Sequence, residues 1–208
     1  MIQENSKNQK KSGLILNDLF HEFVDSLTKA VDARDPYTAL HSYRVAKISE
    51  ILAREMEYSE DFVLWIHIAG HLHNIGKIGI RDSILLKPGK LTPEEMDEIK
   101  RHPKVGADII SKVTGLNPIV EIILHHHESW DGKGYPQGLS GEEISPGARI
   151  ISVADSLDAM LSERPYRPAM SLSSALSEIH SLSGARYDPR VVDALMKIDI
   201  EDIQRLYK

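Results

Sequence analysis

Six side chains scattered along the chain can do metal chemistry: His41, His73, His102, His126, His127 and Asp155. They fall at the ends and on the faces of five predicted helices, which is how a helical bundle assembles a metal centre in its interior. Imidazole and carboxylate donors without any thiolate suit iron, manganese, nickel or zinc. His126 and His127 would point about 100° apart on a continuing helix, yet at a helix C-terminus both can reach one metal cluster. The triplet His125-His126-His127 is internal, with an apolar helix before it and a structured-looking loop after it, so it is no tag scar. His21, His67 and His180 read as surface or satisfied core residues. His71, two before His73 and on the opposite side of its helix, reads as structural. Spacing alone assigns no single ligand.

The elements that must position these residues are helices. Leu16, Leu19, Phe20, Phe23, Leu27 and Val31 follow the helical period up to the break at Asp35-Pro36. A second helix is predicted over about Thr38 to Met56 and a third over Ser59 to Asn74, ended by Gly76 and Gly79. Thr92-Pro93-Glu94-Glu95 opens another, with Thr92 as N-cap, Pro93 at the first helical position and Glu95 closing a capping box. His102-Pro103 breaks that helix and restarts a short one to about Val113. Asn117-Pro118 starts a helix through Leu124, followed by a glycine-rich stretch from Ser129 to Gly147 that is long enough to be functional. Helices over Ala148 to Leu161, Leu172 to Leu182 and Asp188 to Met196 complete an all-α bundle without an alternating strand pattern or an internal repeat.

Composition narrows the classes. The 208 residues carry a net charge of −6 and a pI near 5.9, which excludes a general nucleic-acid binder. Absence of cysteine excludes a disulfide scaffold, thiolate catalysis, iron–sulfur clusters and zinc fingers. No apolar run approaches the roughly 18 residues of a membrane span, and Met1 to Lys11 lacks the apolar core of a secretory signal. The expectation is a cytoplasmic, membrane-free protein.

Local strings add a family resemblance. His73-Asn74-Ile75-Gly76-Lys77 resembles the His-Asp-Ile-Gly-Lys signature of the HD phosphohydrolase superfamily, with Asn in place of Asp. His126-His127-Glu128, followed by Gly134-Tyr135-Pro136, resembles the signature of its HD-GYP subfamily. Further matches run from His41-Ser42-Tyr43-Arg44 through His102-Pro103, Ala148 to Asp155 and Arg164-Pro165-Tyr166-Arg167 to Tyr187-Asp188-Pro189. The resemblance implies residues 1–27 as a polar lead-in and N-terminal helix, 28–200 as an HD-GYP domain with its long Gly-Tyr-Pro loop, and 201–208 as a tail. It implies a phosphodiesterase that opens cyclic di-GMP to pGpG, and further to GMP in some cases, with two divalent metals (iron, manganese or nickel ahead of zinc). By the family pattern His41, His73, position 74 and Asp155 hold one metal; position 74, His102, His126 and His127 hold the other. Lys77 would meet a phosphate oxygen. Asp158, Arg164 and Arg167 lie where the family contacts ligand, and Tyr135, with Trp130 beside it, would shape the pocket wall. Some members add a third metal on a Glu one turn before the first histidine; here that position is Tyr37, which implies two. The N-terminal helix is a candidate homodimer contact.

Asn74 is the departure. A neutral amide offers one oxygen where the signature carboxylate offers two, so the second metal site is expected to weaken and hydrolysis to suffer. Either the chain is a natural variant that binds without cutting, or an aspartate has been replaced to trap a complex; intact partners elsewhere favour the latter. The alternative function is a non-catalytic cyclic di-GMP receptor that signals through a partner protein. A third, an HD phosphohydrolase for another nucleotide, fits the Gly-Tyr-Pro loop and the paired arginines less well.

Overall fold

The computed structural model describes residues 19–34, 40–163 and 168–207, and among these it contains helices, short 3-10 turns and two isolated bridges. Helix α1 covers residues 19–32. It is followed by α2 (His41–Glu55), α3 (Glu60–Leu72), α4 (Asp82–Leu85), α5 (Pro93–Ile99), α6 (His102–Ile110), α7 (Asn117–His125) and α8 (Pro146–Leu161). The chain ends with α9 (Leu172–Ser181), α10 (Pro189–Lys197) and α11 (Ile200–Gln204). The class is all-α, the HD-domain bundle that the motifs imply. No helix among the described residues is long and apolar enough to cross a membrane.

Burial explains the arrangement. Helices α2, α3, α7 and α8 turn Ile48, Leu52, Ile66, Ile119, Ile123 and Leu157 into a core from which water is excluded. Thr92 and Glu95 form the reciprocal capping box at the start of α5, so two backbone donors that no helix can satisfy are paired locally. The break at His102-Pro103 is real: α5 stops at Ile99 and α6 begins on His102 itself. The 3-10 turn Ile75–Gly79 after α3 packs directly on α6, and a Cβ at Gly76 would lie 1.9 Å from the His102 carbonyl oxygen. Only glycine lets these two backbones meet, and their meeting brings His73 toward His102.

Two boundaries differ from the sequence reading. Val24, on the lead-in side of the expected boundary at residue 28, is buried in the bundle together with Thr28 and Val31 of α1, so helix α1 packs on the core across that boundary. The expected tail folds into α11 and a 3-10 turn, with Ile203 in the core and Tyr207 against the site's supporting residues. Tyr37, Arg164 and Arg167 lie outside the described residues.

Candidate metal centre

The start of α2 supplies His41, the C-cap of α3 supplies His73, the start of α6 supplies His102, the end of α7 supplies His126 and His127, and the middle of α8 supplies Asp155. The structure brings all six together as two adjoining groups, His41–His73–Asp155 and His102–His126–His127, with the ligand atoms in each group within 4.8 Å of one another. His102 sits 5.2 Å from His126 and 5.0 Å from His127 between ring centroids, and His73 joins the groups at 5.2 Å from His126.

One local device orients three of the rings. The Nδ1 atoms of His73, His102 and His126 meet the carbonyl oxygens of Gly70, Ile99 and Ile123 at 2.7, 2.8 and 2.7 Å. Each carbonyl lies three residues upstream at a helix end, where backbone acceptors lack an intrahelical donor. Nδ1 must therefore carry the proton, and Nε2 is left as a bare lone pair. The Nε2 atoms of His102 and His126 then face each other at 3.3 Å. Burial first, and then the charges of neighbouring groups, hold these rings neutral: His102 is lowered to about 3, His126 to about 4, and His73 and His127 well below the usual value. Two buried lone pairs pointed at one another without a proton between them are an arrangement a cation stabilises. The donor set therefore fits a divalent metal.

Asp158 corrects the sequence reading. It was expected on ligand, but its side chain is buried behind His41. It accepts from His41 Nδ1 at 2.7 Å and from the Tyr207 hydroxyl at 2.8 Å, and is further held by Arg44 and Ser162. Burial would raise this carboxyl, but the His41 and Arg44 hydrogen bonds outweigh it and hold it low. Burial likewise disfavours the His41 cation, yet Asp155 and Asp158 overcome that and raise it to about 9. Asp158 thus fixes the ring through Nδ1 and leaves Nε2 toward Asp155 Oδ1, 3.3 Å away. Replacing Asp158 with Asn should cost about 3–5 kcal/mol by leaving the part-buried Arg44 charge without its carboxylate and His41 with Asp155 alone. Metal affinity should fall about 10–100-fold. Urea midpoints and metal titration check both; an unchanged midpoint would remove Asp158 from this role.

The Gly-Tyr-Pro loop is built on Glu128, whose carboxylate is buried and accepts the backbone N–H groups of Gln137, Gly138 and Leu139 at 2.7, 3.1 and 3.2 Å. Gly134 is obligatory, since a Cβ there would lie 2.2 Å from the Ser129 nitrogen. The loop lays Tyr135 on His127, rings stacked at 4.8 Å and 26°. Trp130 turns away and takes the Arg149 guanidinium at 5.6 Å instead. Glu128→Ala should cost on the order of 3 kcal/mol through three orphaned donors and erase hydrogen-exchange protection at Gln137, Gly138 and Leu139. Retained protection there would mean that the loop is held by other contacts.

Two cavities flank the centre. One of about 410 Å3 is walled by His127, Tyr135, Asp155 and Arg186; another of about 550 Å3 is walled by Gly76, Arg81, Arg101, His102 and Lys104. The positive charge of Lys77 adds to the lowering of His102 and His126. Arg34 of the segment after α1 fixes the turn that carries Lys77, donating to the carbonyls of Lys77, Ile78 and Ile80 at 3.0, 2.8 and 2.8 Å. Sequence reading gave no role to Arg34 and Tyr207, which no local pattern marks, nor to Arg44, which it quoted only within the string His41-Ser42-Tyr43-Arg44. The placement of Asp158 three residues after Asp155, on one helix face, was the available signal for its role.

Asn74 lies at the junction, and its Nδ2 is 2.7 Å from His73 Nε2. Because that Nε2 is an acceptor, the amide must present its NH2 group there. The side chain therefore donates a proton to the lone pair that a metal would use.

Residues 25–191 match the HD domain family. The chain belongs to that family. HD domains bind divalent metal, and the two His/Asp groups are what this one offers. The chain is 47% identical over 197 residues to a cyclic di-GMP phosphodiesterase of Thermotoga maritima, covering 92% of this chain and 53% of that protein. It is 43% identical over 180 residues to a cyclic di-GMP phosphodiesterase response regulator of Xanthomonas campestris pv. campestris, covering 85% of this chain and 47% of the relative. It thus spans about half the length of these relatives. A cyclic GMP-AMP specific phosphodiesterase of Vibrio cholerae shares the fold, with a TM-score of 0.65 at 20% identity over 90% of this chain and 53% of that one.

Proposed function

We propose that this HD domain binds cyclic di-GMP at the His/Asp centre and is built as a metal-dependent phosphodiesterase that opens the ring to pGpG, with Asn74 limiting the hydrolytic step. The observation that carries the reading is the facing pair of Nε2 lone pairs on His102 and His126, 3.3 Å apart and buried. His41, His73 and Asp155 would hold one metal and His102, His126 and His127 the other, iron, manganese or nickel ahead of zinc. Bound there, the metals supply Lewis acidity toward phosphoryl oxygens and acidify water. The protein's own groups do the rest. Lys77 offers its ammonium to a phosphate oxygen, Tyr135 on His127 forms a flat wall for a purine, and Glu128 keeps that wall in place. Arg164 and Arg167, carried over from the motif resemblance, add planar forks for phosphate.

A specific observation favours a second reading, a receptor that binds without cutting: the Asn74 amide already satisfies His73 Nε2. Calorimetry and chromatography on one metal-loaded sample separate the two. Binding of cyclic di-GMP with release of pGpG supports the enzyme; binding with intact ligand after long incubation supports the receptor; no binding sinks both. Cyclic GMP-AMP as a parallel ligand tests whether the pocket distinguishes the second purine. Leu19 and Phe23, both exposed on α1, are the apolar face proposed for a homodimer, which sedimentation of the Phe23→Glu variant checks.

A further inference from the structure

One cation beside the metal centre is left without a task by the proposed reaction. Arg186 lies in the turn between α9 and α10 and shares the cavity of about 410 Å3 with His127, Tyr135 and Asp155. Most described arginines rest on a carboxylate: Arg44 on Asp158, Arg81 on Glu98, Arg149 on Asp188 and Arg205 on Glu201. Arg186 does not. Among the described residues its guanidinium has only the Tyr187 ring, 5.6 Å from the centroid. The acids around the cavity are committed elsewhere. Asp131 takes Lys133 at 2.7 Å, Glu128 takes three backbone N–H groups, and Asp155 faces His41.

The backbone that carries Arg186 is fixed. Its N–H donates to the Leu182 carbonyl at 2.9 Å, and its carbonyl accepts from the Trp130 N–H at 3.0 Å. The Ala185 carbonyl accepts from the Asp131 N–H at 2.8 Å, and Gly184, at φ 76°, makes the turn. The segment after His127 and the segment before α10 are thus stitched together, which places the Tyr135 ring and the Arg186 fork on one preorganised pocket. Ser152 and Ser156 line the same cavity from α8. They stand one turn apart on one helix face, and neither hydroxyl has a hydrogen-bond partner among the described residues.

We propose that Arg186 is a specificity-determining residue that reads the base of a purine stacked on Tyr135 and selects guanine over adenine. The inference rests on the reading of the centre as a cyclic di-GMP site and names how that site chooses its base. A guanidinium donates two parallel N–H bonds to the O6 and N7 acceptors of guanine. Adenine offers N7 but sets its N6 amino donor against the second N–H, so one bond is replaced by two opposed donors. The hydroxyls of Ser152 and Ser156 can accept from N1–H and the N2 amino group, which guanine carries and adenine lacks.

Calorimetry on the metal-loaded full chain tests this, with cyclic di-GMP and cyclic di-AMP titrated in parallel into the parent, Arg186→Ala and Arg186→Lys. The parent should prefer cyclic di-GMP. Arg186→Ala should lower that affinity by about 5–150-fold and leave cyclic di-AMP nearly unchanged, so the preference collapses. Arg186→Lys keeps the charge without the fork and should not restore it. Equal weakening of both nucleotides, rescued by lysine, would put Arg186 on a phosphate and overturn the proposal. A parent that binds while both variants keep its preference overturns this inference alone. A parent that binds neither nucleotide sinks the reading of the centre and this inference with it. Melting temperatures of both variants should match the parent's, since the Arg186 side chain is exposed and carries no ion pair.

Discussion

Replacing Asn74 with aspartate is expected to destabilise the metal-free domain and to stabilise the metal-loaded one. In the chain as it stands, the amide NH2 group donates to His73 Nε2 at 2.7 Å while Nδ1 donates to Gly70. The metal-free pocket is therefore satisfied at this point. An aspartate oxygen in the same place would set an acceptor against an acceptor, and only a cation or a proton can resolve that. Metal-free Asn74→Asp protein should be less stable than the parent by about 1–3 kcal/mol, the cost of a buried unsatisfied polar group. With metal the order should invert. A unit charge 4 Å from another is worth on the order of 4 kcal/mol at an effective dielectric near 20, about three powers of ten in affinity. Melting temperatures of both chains, in chelator and in excess Mn2+, test the inversion. The same order in both conditions would show that position 74 does not face the metals.

Catalysis should follow the metal. On the proposed reading Lys77, Tyr135, Arg164 and Arg167 would meet the nucleotide and position 74 would not, so the expected result is that Asn74→Asp hydrolyses cyclic di-GMP faster by several powers of ten while ground-state affinity changes far less. A variant that gains metal but no turnover would leave the receptor reading standing.

Much of this fold could be read in advance because its punctuation is local. Asn117-Pro118, Thr92-Pro93 and Asp188-Pro189 mark helix starts through a missing N–H and a fixed φ, and α7, α5 and α10 begin there. The six donors are legible through the motif strings that carry them, since helix position and spacing alone assign no single ligand. Asp158 was misplaced because a buried carboxylate beside a ligand and a carboxylate on a substrate look alike in a string. Only the packing of Arg44 and Tyr207 around it tells them apart. Tyr207 reaches Asp158 across 49 positions of chain, a contact no local pattern encodes. His67 reads as a surface or core residue and His71 as structural; their closeness to each other and to His21 appears only when α1 is docked.

Acid should unfold the metal-free domain sharply. His73, His102, His126 and His127 are all held below the ordinary histidine value, first by burial and then by the positive charge of neighbouring histidines and Lys77. A group whose pKa is depressed on folding contributes stability that is present above its unfolded value, about 6.5, and lost as pH falls below it. Between pH 6.5 and about 4 the unfolded chain binds protons that the folded chain refuses, so stability falls with pH. His102 and His126 each steepen the profile by about 1.4 kcal/mol per pH unit at full effect, and His73 and His127 act in the same direction. Over two units that is comparable with the whole stability of an ordinary domain, about 5–15 kcal/mol. His41 acts in the opposite sense: raised to about 9 by Asp155 and Asp158 over the opposing effect of burial, it stabilises below 6.5 and loses that contribution as pH rises through 9. The metal-free chain should therefore be most stable near neutrality and be largely unfolded by about pH 5. Urea midpoints at pH 7.5, 6.5, 5.5 and 5.0 in chelator measure the slope, and His102→Gln should flatten it by about 1.4 kcal/mol per unit. A flat profile from pH 7.5 to 5.0 would mean that the folded centre accepts protons as readily as the open chain, and the facing lone pairs of His102 and His126 would then not be the neutral, cation-seeking pair described above.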